Sequence, residues 1–494
     1  ADVVDFTSFD DQRDSLVSAG IVLKQNTAPS VDLEPEYIAA AGGRAYVTLQ
    51  EANAIAVLDI VDKTFTGIYS AGFEDHSVTP VDIDKKDEQY APKTYESLMG
   101  IRMPDGIAAF EQNGKTYLLT ANEGDSREWG DYLNEDERNF GKGKTSPTGA
   151  ITAENSGLTG KVVFFDASGY DGLNSQKDYL FGGRSFTLYE VSASGLQEVY
   201  TSGSDFERLT AQYLPDFFNT SNDNAVQDDR SGKKGPEAES VTVGQVNGKT
   251  YAFVALERTG GVMVYDVTDP THVSYVNYLN SRDFTSTVPG SEVYDDGELD
   301  KWVTGGDVAP EGLLFLDASV SPTGEALLLA ACEVSGTVAV YQVGGEPLSV
   351  LPFTDVEARD AQAIYRIGTL CFTDAWREET VAHDLAQSLS RYWVAEVNHQ
   401  VAAFACFWFV VDELQLVNIG VEPAMRRMGI AERLLQSGME EAKKCGLTHM
   451  SLEVRIGNLP AQHLYKKYGL EIASLRKGAY EHPAEDGYIM TRTL

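Results

Sequence analysis

The pattern of apolar and polar residues changes near residue 350. Before that point, short runs rich in Val, Ile, Leu and aromatic residues alternate with clusters of Gly, Asn, Asp and Pro, which is typical of β-strands joined by turns. After it, apolar residues recur at helical spacing in several segments, with strand-like runs between them. The sequence therefore predicts a multidomain protein, with an all-β domain at residues 1–343, a linker at 344–352 and an α/β (α+β) domain at 353–494.

A degenerate unit recurs four times in the first domain. Each copy opens with proline and an acidic residue, continues into a strand, turns, and returns along a second strand that ends near a glutamate. The copies run from Pro35 to Glu51, from Pro104 to Glu123, from Pro236 to Glu257 and from Pro310 to Glu333. Small sheets that repeat around an axis form a β-propeller, in which each sheet buries its faces against its neighbours. The first domain is therefore predicted to be propeller-like.

The acidic positions of this repeat are expected to converge at one end of a propeller channel. They form two sets, which are Glu36, Asp105, Glu237 and Glu311, and Glu51, Glu123, Glu257 and Glu333. Hard cations such as Ca²⁺ prefer carboxylate oxygens as ligands, so the first set is a candidate calcium site and the second could act in the same way. The alternative is that these acids cap turns or accept hydrogen bonds from backbone N–H groups at sheet edges.

Four helices and four strands are predicted in the second domain, between residues 358 and 468. The predicted helices are Ala358–Leu370, Glu378–Leu389, Gly429–Cys445 and Pro460–Tyr468, and the predicted strands are Tyr392–Val397, Val401–Val410, Glu413–Val421 and Met450–Val454. The third helix is strongly amphipathic, because Leu434, Leu435, Met439 and Ala442 share one face. Asn398-His399 is predicted to form the turn between the first two strands.

The loop Arg426-Arg427-Met428-Gly429-Ile430-Ala431 precedes this amphipathic helix. Its glycine and its small alanine allow backbone N–H groups to approach a pyrophosphate, while the helix dipole and the two arginines add positive charge. A tight turn that binds no ligand is the alternative.

Net charge and cysteine usage exclude several classes of function. The net charge at pH 7 is −36, and residues 1–354 carry 24 Lys and Arg against 56 Asp and Glu. This acidity argues against binding of nucleic acid or of an anionic membrane by the first domain. The chain has no apolar run of about 18 residues, the length that crosses a membrane. None of its four cysteines forms a CxxC pair, so no disulfide framework or zinc site is predicted.

The last quarter of the chain resembles the GNAT acyl-CoA N-acetyltransferases. The order strand, Arg-Arg-x-Gly-x-Ala, helix, strand, Leu-Glu-Val-Arg-x-x-Asn, helix, Leu-Tyr-x-x-x-Gly is similar to that of the ribosomal-protein-alanine N-acetyltransferase family over about residues 353–494. The resemblance implies acetyl-CoA as cofactor and a protein N-terminus as acceptor. It implies contacts of Ile419 and Val421 with the acetyl-pantetheine arm, of Arg427, Gly429 and Ala431 with the pyrophosphate, and of Asn458 with the CoA arm. It also implies Glu453 as general base and Tyr465 as general acid.

The chemistry of these two residue types agrees with those roles. An α-amine with a pKa near 8 is partly protonated at neutral pH, so a carboxylate such as Glu453 can activate it as a nucleophile. A phenol such as Tyr465 can protonate a departing thiolate. The alternatives are that Glu453 is a surface carboxylate paired with Arg455 or Lys477, and that Tyr465 is an aromatic residue of the helix–sheet core.

The first domain resembles the choice-of-anchor I domain family of secreted bacterial proteins over about residues 3–343. The matching stretches are 32–38, 121–125, 181–186, 234–237 and 333–338. Members of this family look like propellers, and the functions attributed to them are phosphatase- or phytase-like. This resemblance implies a secreted or cell-surface location, whereas the acetyltransferase resemblance implies the cytoplasm.

The function predicted from the sequence is acetyl-CoA-dependent N-acetylation of a protein N-terminal α-amine, with the alanine of a ribosomal protein as acceptor. The alternative is a secreted or cell-surface propeller protein that binds ligands or hydrolyses phosphoesters with the help of a metal.

Overall fold

The chain folds into two compact units, Ala1–Val343 and Gly344–Leu494. The structure, a computed structural model, describes all residues except 1, 86–88, 131, 193, 285–304, 345–348, 352–355, 357–359, 374–375, 388, 398–399 and 427–428. The predicted turn Asn398-His399 lies outside the described residues. Among the residues that are described, no helix is both long enough and apolar enough to cross a membrane.

The first unit consists mainly of short strands. In chain order these are Leu23–Lys24 (β1), Ile38–Ala41 (β2), Arg44–Leu49 (β3), Ala54–Asp59 (β4), Thr64–Ser70 (β5), Phe73–Asp75 (β6), Leu98–Ile101 (β7), Ile107–Gln112 (β8), Lys115–Asn122 (β9), Glu128–Trp129 (β10), Tyr132–Leu133 (β11), Glu135–Asn139 (β12), Lys161–Phe165 (β13), Tyr170–Asp171 (β14), Asp178–Phe181 (β15), Ser185–Ser192 (β16), Gly195–Thr201 (β17), Ala238–Val246 (β18), Lys249–Leu256 (β19), Val262–Asp266 (β20), Ser274–Leu279 (β21), Pro310–Leu316 (β22), Ala326–Cys332 (β23) and Thr337–Val343 (β24). The α-helices described in this unit are Arg13–Ser18 (α1), Pro29–Asp32 (α2), Ala153–Ser156 (α3) and Asp205–Tyr213 (α4).

Four antiparallel sheets correspond to the four sequence repeats. Their strand orders are β2-β3-β4-β5, β8-β9-β16-β17, β18-β19-β20-β21 and β22-β23-β24. The first strand of each sheet lies next to the first strand of the following one, so that β8 contacts β2 and β18, and β18 contacts β22. These first strands line a common cavity of about 390 Å³.

The central strands are apolar on both faces because each sheet packs between two others. Leu118 of β9 belongs to the core shared with the first sheet, while its neighbour Leu119 belongs to the core shared with the third. Phe253 and Val254 of β19 divide in the same way between the fourth sheet and the second. Since successive side chains of a strand point to opposite faces, stacking of sheets explains why these runs are continuously apolar instead of alternating.

The second unit contains one seven-stranded sheet and four described helices. The strands are Ser349–Leu351 (β25), Ser390–Val397 (β26), Gln400–Val410 (β27), Glu413–Val421 (β28), His449–Arg455 (β29), Glu471–Glu481 (β30) and Ala484–Thr493 (β31). The helices are Ala361–Cys371 (α5), Glu378–Leu385 (α6), Ile430–Lys444 (α7) and Leu459–Lys467 (α8). The strand order is β25-β26-β27-β28-β29-β31-β30.

Strand β25 lies inside the segment predicted to be a linker. Its residues Ser349–Leu351 pair with β26, from Ser349 opposite Glu396 to Leu351 opposite Val394. The sheet of the second unit therefore begins before residue 353. The apolar run was too short to be distinguished from a linker by periodicity, because its strand pairing is made with residues about 45 positions further along the chain.

Helix α7 connects the parallel strands β28 and β29 and covers one face of the sheet. Its residues Leu434, Leu435, Met439 and Ala442 are all buried in one core with the sheet, which confirms the apolar face predicted from the sequence. A parallel pair needs a long crossover connection, and this helix provides it. Helices α5 and α6 contribute to a second core together with β26 and β27.

Candidate functional site

The parallel strands β28 and β29 pair along only part of their lengths. Their ladder runs from Glu413 opposite His449 to Leu416 opposite Leu452, although β28 continues to Val421 and β29 to Arg455. The register of β28 against β27 shifts between Leu416 and Asn418, and such a β-bulge bends a strand. The two strands therefore diverge, and an opening lies between their carboxyl ends.

The backbone of Ile419 and Val421 faces this opening. The N–H group of Glu422 donates to the carbonyl of Ala402 at 2.9 Å, on the side of β27. Since hydrogen-bonding direction alternates along an antiparallel ladder, the N–H and C=O groups of Ile419 and Val421 point to the other side. The Val421 carbonyl accepts hydrogen bonds there from the Cys371 thiol and from Arg426 Nε, both at 3.2 Å. The edge of β28 thus presents backbone donors to a ligand in the opening.

The amino end of α7 follows closely after this edge. Gly429 precedes the helix with φ of +72°, a left-handed conformation that glycine adopts without strain. A Cβ added to Gly429 would meet no described atom within 4 Å. The first N–H groups of a helix have no intrahelical partner and carry the positive end of its dipole, so this place suits an anion. In the same turn, Oε1 of Glu432 forms a salt bridge with Lys467 Nζ at 3.0 Å and accepts a hydrogen bond from the Tyr468 hydroxyl at 2.6 Å.

Glu453 and Tyr465 approach the sheet from opposite faces. Leu452 and Val454 of β29 are buried in the core beneath α7, so the intervening Glu453 projects from the other face. Its side chain is 25% exposed, and its Oε2 accepts a hydrogen bond from Arg476 Nη1 at 2.8 Å. The hydrogen-bond partner of Glu453 is thus Arg476, in place of the Arg455 or Lys477 suggested by the sequence.

Tyr465 of α8 belongs to the core on the α7 face of the sheet. It is 5% exposed, and among the described residues its hydroxyl makes no hydrogen bond. Burial raises the pKa of Tyr465, with a smaller contribution from Tyr480. Tyr480 in turn has its pKa raised by burial and then by the charge of Glu453, which places this tyrosine near both candidates.

A second group of polar residues lies in the first unit, where carboxylates converge in two triplets. Oxygen atoms of Asp105, Glu123 and Glu239 lie within 4.8 Å of one another, and so do those of Glu123, Glu237 and Glu257. The predicted set of Glu36, Asp105, Glu237 and Glu311 is therefore not assembled as one site. Asp105 and Glu237 belong to different triplets, and Glu36 and Glu311 belong to neither.

A β-bulge separates Glu237, the third member of the predicted set, from the position that corresponds to Asp105. Ile107 pairs with Thr120, three residues before Glu123, and Val241 pairs with Val254, three residues before Glu257. Two residues before Val241 is Glu239, which is thus the counterpart of Asp105. The register of β18 shifts between Ala238 and Val241, so that Glu237 is displaced from that position. The sequence Glu237-Ala238-Glu239 offered both acids, but a bulge cannot be located from it.

Glu237 is instead surrounded by cations. It is fully buried, accepts hydrogen bonds from Arg230 and from Arg258 Nε at 3.2 Å, and forms a salt bridge with Lys234 Nζ at 3.0 Å. Although burial opposes its ionisation, these three cations lower the pKa of Glu237. Glu237 and its three cationic partners thus form an ion-pair cluster. This arrangement differs from a ring of carboxylates that binds a cation, and also from the alternative, in which the acids accept hydrogen bonds from backbone N–H groups.

The remaining acids of the two triplets have raised pKa values. Burial, followed by the charge of Glu123, raises the pKa of Asp105 to about 8. Burial and the same neighbour raise the pKa of Glu239 to about 10. Burial and Glu237 raise the pKa of Glu257 to about 8. At these three acids, burial and the neighbouring carboxylates therefore disfavour the charged form.

Two family models match separate parts of the chain. That of the choice-of-anchor I domain matches residues 1–270, more than half of the chain, and that of the acetyltransferase (GNAT) family matches residues 361–470. The chain belongs to both families. Both resemblances inferred from the sequence are thereby confirmed, and the second unit, the GNAT domain, is an acyltransferase.

Individual relatives each match part of the chain. The [ribosomal protein bS18]-alanine N-acetyltransferase of Escherichia coli is 33% identical over 134 residues, which is 27% of this chain and 88% of the relative. Gigasin-3a of Magallana gigas is 29% identical over 199 residues, which is 39% of this chain and 67% of the relative. The crystal structure of the ribosomal-protein-S18-alanine N-acetyltransferase from Escherichia coli has 30% identity and a TM-score of 0.28, and the match covers 30% of this chain and 93% of that one.

The other predicted contact residues of the GNAT domain lie along the same opening or at its helices. Ala431 is half-buried in the first turn of α7. Asn458 is exposed at the start of α8, where its Oδ1 accepts a hydrogen bond from the Ala461 N–H group at 3.3 Å. Arg427 lies outside the described residues. Cys371 was not singled out from the sequence, because the contact of its thiol with the Val421 carbonyl depends on the fold.

Proposed function

We propose that the GNAT domain transfers an acetyl group from acetyl-CoA to the N-terminal α-amine of a protein or peptide. The observation that carries this proposal is the opening between β28 and β29, which has a carboxylate on one face and a phenol on the other. This arrangement lets an acyl donor and an amine enter from opposite sides of the sheet and meet between the strands. Because the E. coli relative is named for the alanine of a ribosomal protein, an N-terminal alanine is the first acceptor to test.

The donor fits the helix face of the opening. The N–H groups of Ile419 and Val421 face a pantetheine arm as they would face an added strand. The amino end of α7 at Gly429 and Ala431 supplies backbone donors for the pyrophosphate, and we assign Arg427 to the same group. The amide of Asn458 lies at the start of α8, where it can contact the CoA arm. When bound, acetyl-CoA supplies the activated acetyl thioester.

Proton transfers by the two side chains complete the reaction. Glu453 accepts a proton from the substrate ammonium group, directly or through one water molecule, which leaves the amine free to attack. Backbone N–H groups of β28 stabilise the negative charge that develops on the thioester oxygen. Tyr465, which burial keeps protonated, donates its hydroxyl proton to the departing thiolate. The acetylated nitrogen then loses its second proton to solvent, from which the Tyr465 phenolate is reprotonated.

The decisive experiment measures acetylation of an alanine-starting peptide and binding of CoA with the same protein samples. Replacing Glu453 by Gln is expected to lower kcat by about 10²- to 10⁴-fold while leaving the affinity for CoA unchanged. Tyr465→Phe is also expected to lower kcat, and it should fold because the hydroxyl has no hydrogen-bond partner among the described residues. Glu481→Gln, an exposed glutamate on β30, serves as the control. A wild-type protein that binds no CoA and acetylates no peptide would show that the proposal is wrong.

We also infer that the four sheets of the choice-of-anchor I domain are blades of a propeller-like ring. The successive contacts of β2, β8, β18 and β22 around a common cavity support this inference. An experimental structure of the full chain tests it, because a ring requires these first strands to surround one axis. Sheets stacked along a line would contradict it.

A further inference from the structure

Two acids next to the cavity of the choice-of-anchor I domain have no cationic partner. Asp105 is 4% exposed, and its Oδ2 atom has no hydrogen-bond partner in the part of the chain that the structure describes. Within the same residues, no salt bridge reaches Asp105 or Glu239, whereas Glu237 has three. The side chain of Asp105 hydrogen-bonds that of the half-buried Glu239. A charged carboxylate is costly to bury without a cation, so a bound cation would stabilise the ionised form of this pair, whereas Glu237 already has cations beside it.

The spacing of these acids suits a single ion. Oxygen atoms of Asp105, Glu123 and Glu239 lie within 4.8 Å of one another. Two oxygens that bind the same Ca²⁺ at about 2.3–2.6 Å are separated by no more than about 5 Å. The oxygens of Glu123 already accept bonds from Lys234 Nζ at 2.7 Å and from Gln50 Nε2 at 2.8 Å. Each carboxylate oxygen has two lone pairs, so Glu123 can keep these partners and still ligate a cation.

The cavity between the first strands lies beside this triplet. It is lined by Tyr37, Gly106, Ser240 and Glu311, among others, so that it borders the residues next to Asp105 and Glu239 in sequence. Its volume is about 390 Å³, and a water molecule takes up about 30 Å³ of liquid. The space is therefore sufficient for a cation together with the water ligands that three carboxylates leave unfilled.

We propose that Asp105, Glu123 and Glu239 hold one divalent cation at the border of this cavity, with Ca²⁺ as the expected ion. Ca²⁺ accepts six to eight oxygen ligands in flexible geometry, whereas Mg²⁺ requires a near-ideal octahedron. Three side chains that come from different strand ends are more compatible with the flexible geometry. The other two acids of the second triplet, Glu237 and Glu257, are not part of the site, because Lys234 and Arg258 already form salt bridges with them.

Titration calorimetry of the full-length protein, after removal of bound metals with a chelator, tests the proposal. Wild-type protein is expected to bind Ca²⁺ with a dissociation constant of about 10⁻⁶ to 10⁻³ M. Asp105→Asn and Glu239→Gln are expected to weaken binding by about 100-fold or more. Glu190→Gln is the matched control, because Glu190 is an acid of the same domain that is paired with Lys115 at 2.8 Å and lies outside both triplets. Binding of none of Ca²⁺, Mg²⁺ and Zn²⁺ would overturn the proposal, and so would unchanged affinity in both variants.

A second measurement locates the ion even if those variants fold poorly. Tb³⁺ occupies calcium sites and emits light when a nearby aromatic residue absorbs. Tyr37 lines the cavity, so excitation of tyrosine is expected to give Tb³⁺ emission that Ca²⁺ abolishes by competition. Tyr37→Phe should lower this emission while Ca²⁺ still binds in calorimetry. Emission that is the same in Tyr37→Phe as in the wild type would place the ion elsewhere and refute the site.

Discussion

Removal of the charge of Glu237 is expected to destabilise the choice-of-anchor I domain strongly. Glu237→Gln keeps the size and shape of the side chain, so packing is preserved and only the electrostatic effect is tested. Glu237 has no exposed surface, and its three partners, Arg230, Lys234 and Arg258, are 14%, 14% and 27% exposed. The substitution leaves these cations largely buried and turns an amide NH₂ group toward them.

The magnitude follows from this burial. Breaking a buried ion pair by removing one partner costs about 3–5 kcal/mol, because the other charge is left uncompensated. Lys234 retains Glu123 at 2.7 Å and Asp125 at 3.1 Å, and Arg258 retains Glu257 at 3.1 Å. These remaining contacts favour the lower end of the range, about 3 kcal/mol.

Hydrogen–deuterium exchange with mass spectrometry measures this loss locally in the full-length protein. Peptides from β18 and β19 report the opening of the sheet whose first strand, β18, directly follows Glu237. A loss of about 3 kcal/mol raises the open population by about 100-fold, since about 1.4 kcal/mol corresponds to a factor of ten. Exchange in Glu190→Gln should stay close to wild type, because an exposed ion pair contributes little. Equally slow exchange in both variants would refute the reasoning that the three cations depend on Glu237.

Two further predictions concern pH and packing. The pKa of Asp105 and that of Glu257 are raised to about 8 in the folded protein. The stability that these protonated groups contribute is therefore fully present below the pKa that they have in the unfolded chain, and it is lost as pH rises toward about 8. In the presence of a chelator, the melting temperature of this domain should fall between pH 5 and pH 8, and Glu257→Gln should reduce the fall; a melting temperature that rises with pH would contradict the assignment. In the GNAT domain, a Cβ on Gly438 would lie 2.5 Å from Cζ of the fully buried Phe407, so Gly438→Ala should lower stability by about 1–3 kcal/mol. Without that clash, Gly→Ala in a helix stabilises by about 1 kcal/mol. Urea denaturation of Gly438→Ala, with Ser437→Ala as control, therefore tests the clash by whether the free energy of unfolding falls or rises.

Much of the GNAT domain could be predicted from local pattern. The apolar face of α7 follows from helical spacing, and the start of this helix follows from Gly429, whose φ of +72° suits a residue without a side chain. The strands β28 and β29 were predicted within one residue of their observed bounds. These features depend on neighbours in sequence, which is why periodicity and turn chemistry indicate them.

Partners across the sheet could not be predicted in the same way. The sequence suggested Arg455 or Lys477 as the partner of Glu453, but Arg476 is the residue within hydrogen-bond distance. Strand β30 changes register against β31 between Arg476 and Tyr480. A shift of one residue reverses the face from which a side chain projects, so neighbouring residues in sequence cannot be distinguished without the pairing.

The sequence by itself determined the division into two domains. It also determined which apolar runs become stacked sheets and which residues the chain offers for acyl transfer. Only the tertiary structure decided which of these residues meet. The ladder between β28 and β29 ends at Leu416 and Leu452, which places the backbone of Ile419 and Val421 at an open edge. A bulge in β18 puts Glu239, in place of Glu237, next to Asp105. Both outcomes depend on strand register, which is set by pairing between segments far apart in the chain, and no local pattern specifies it.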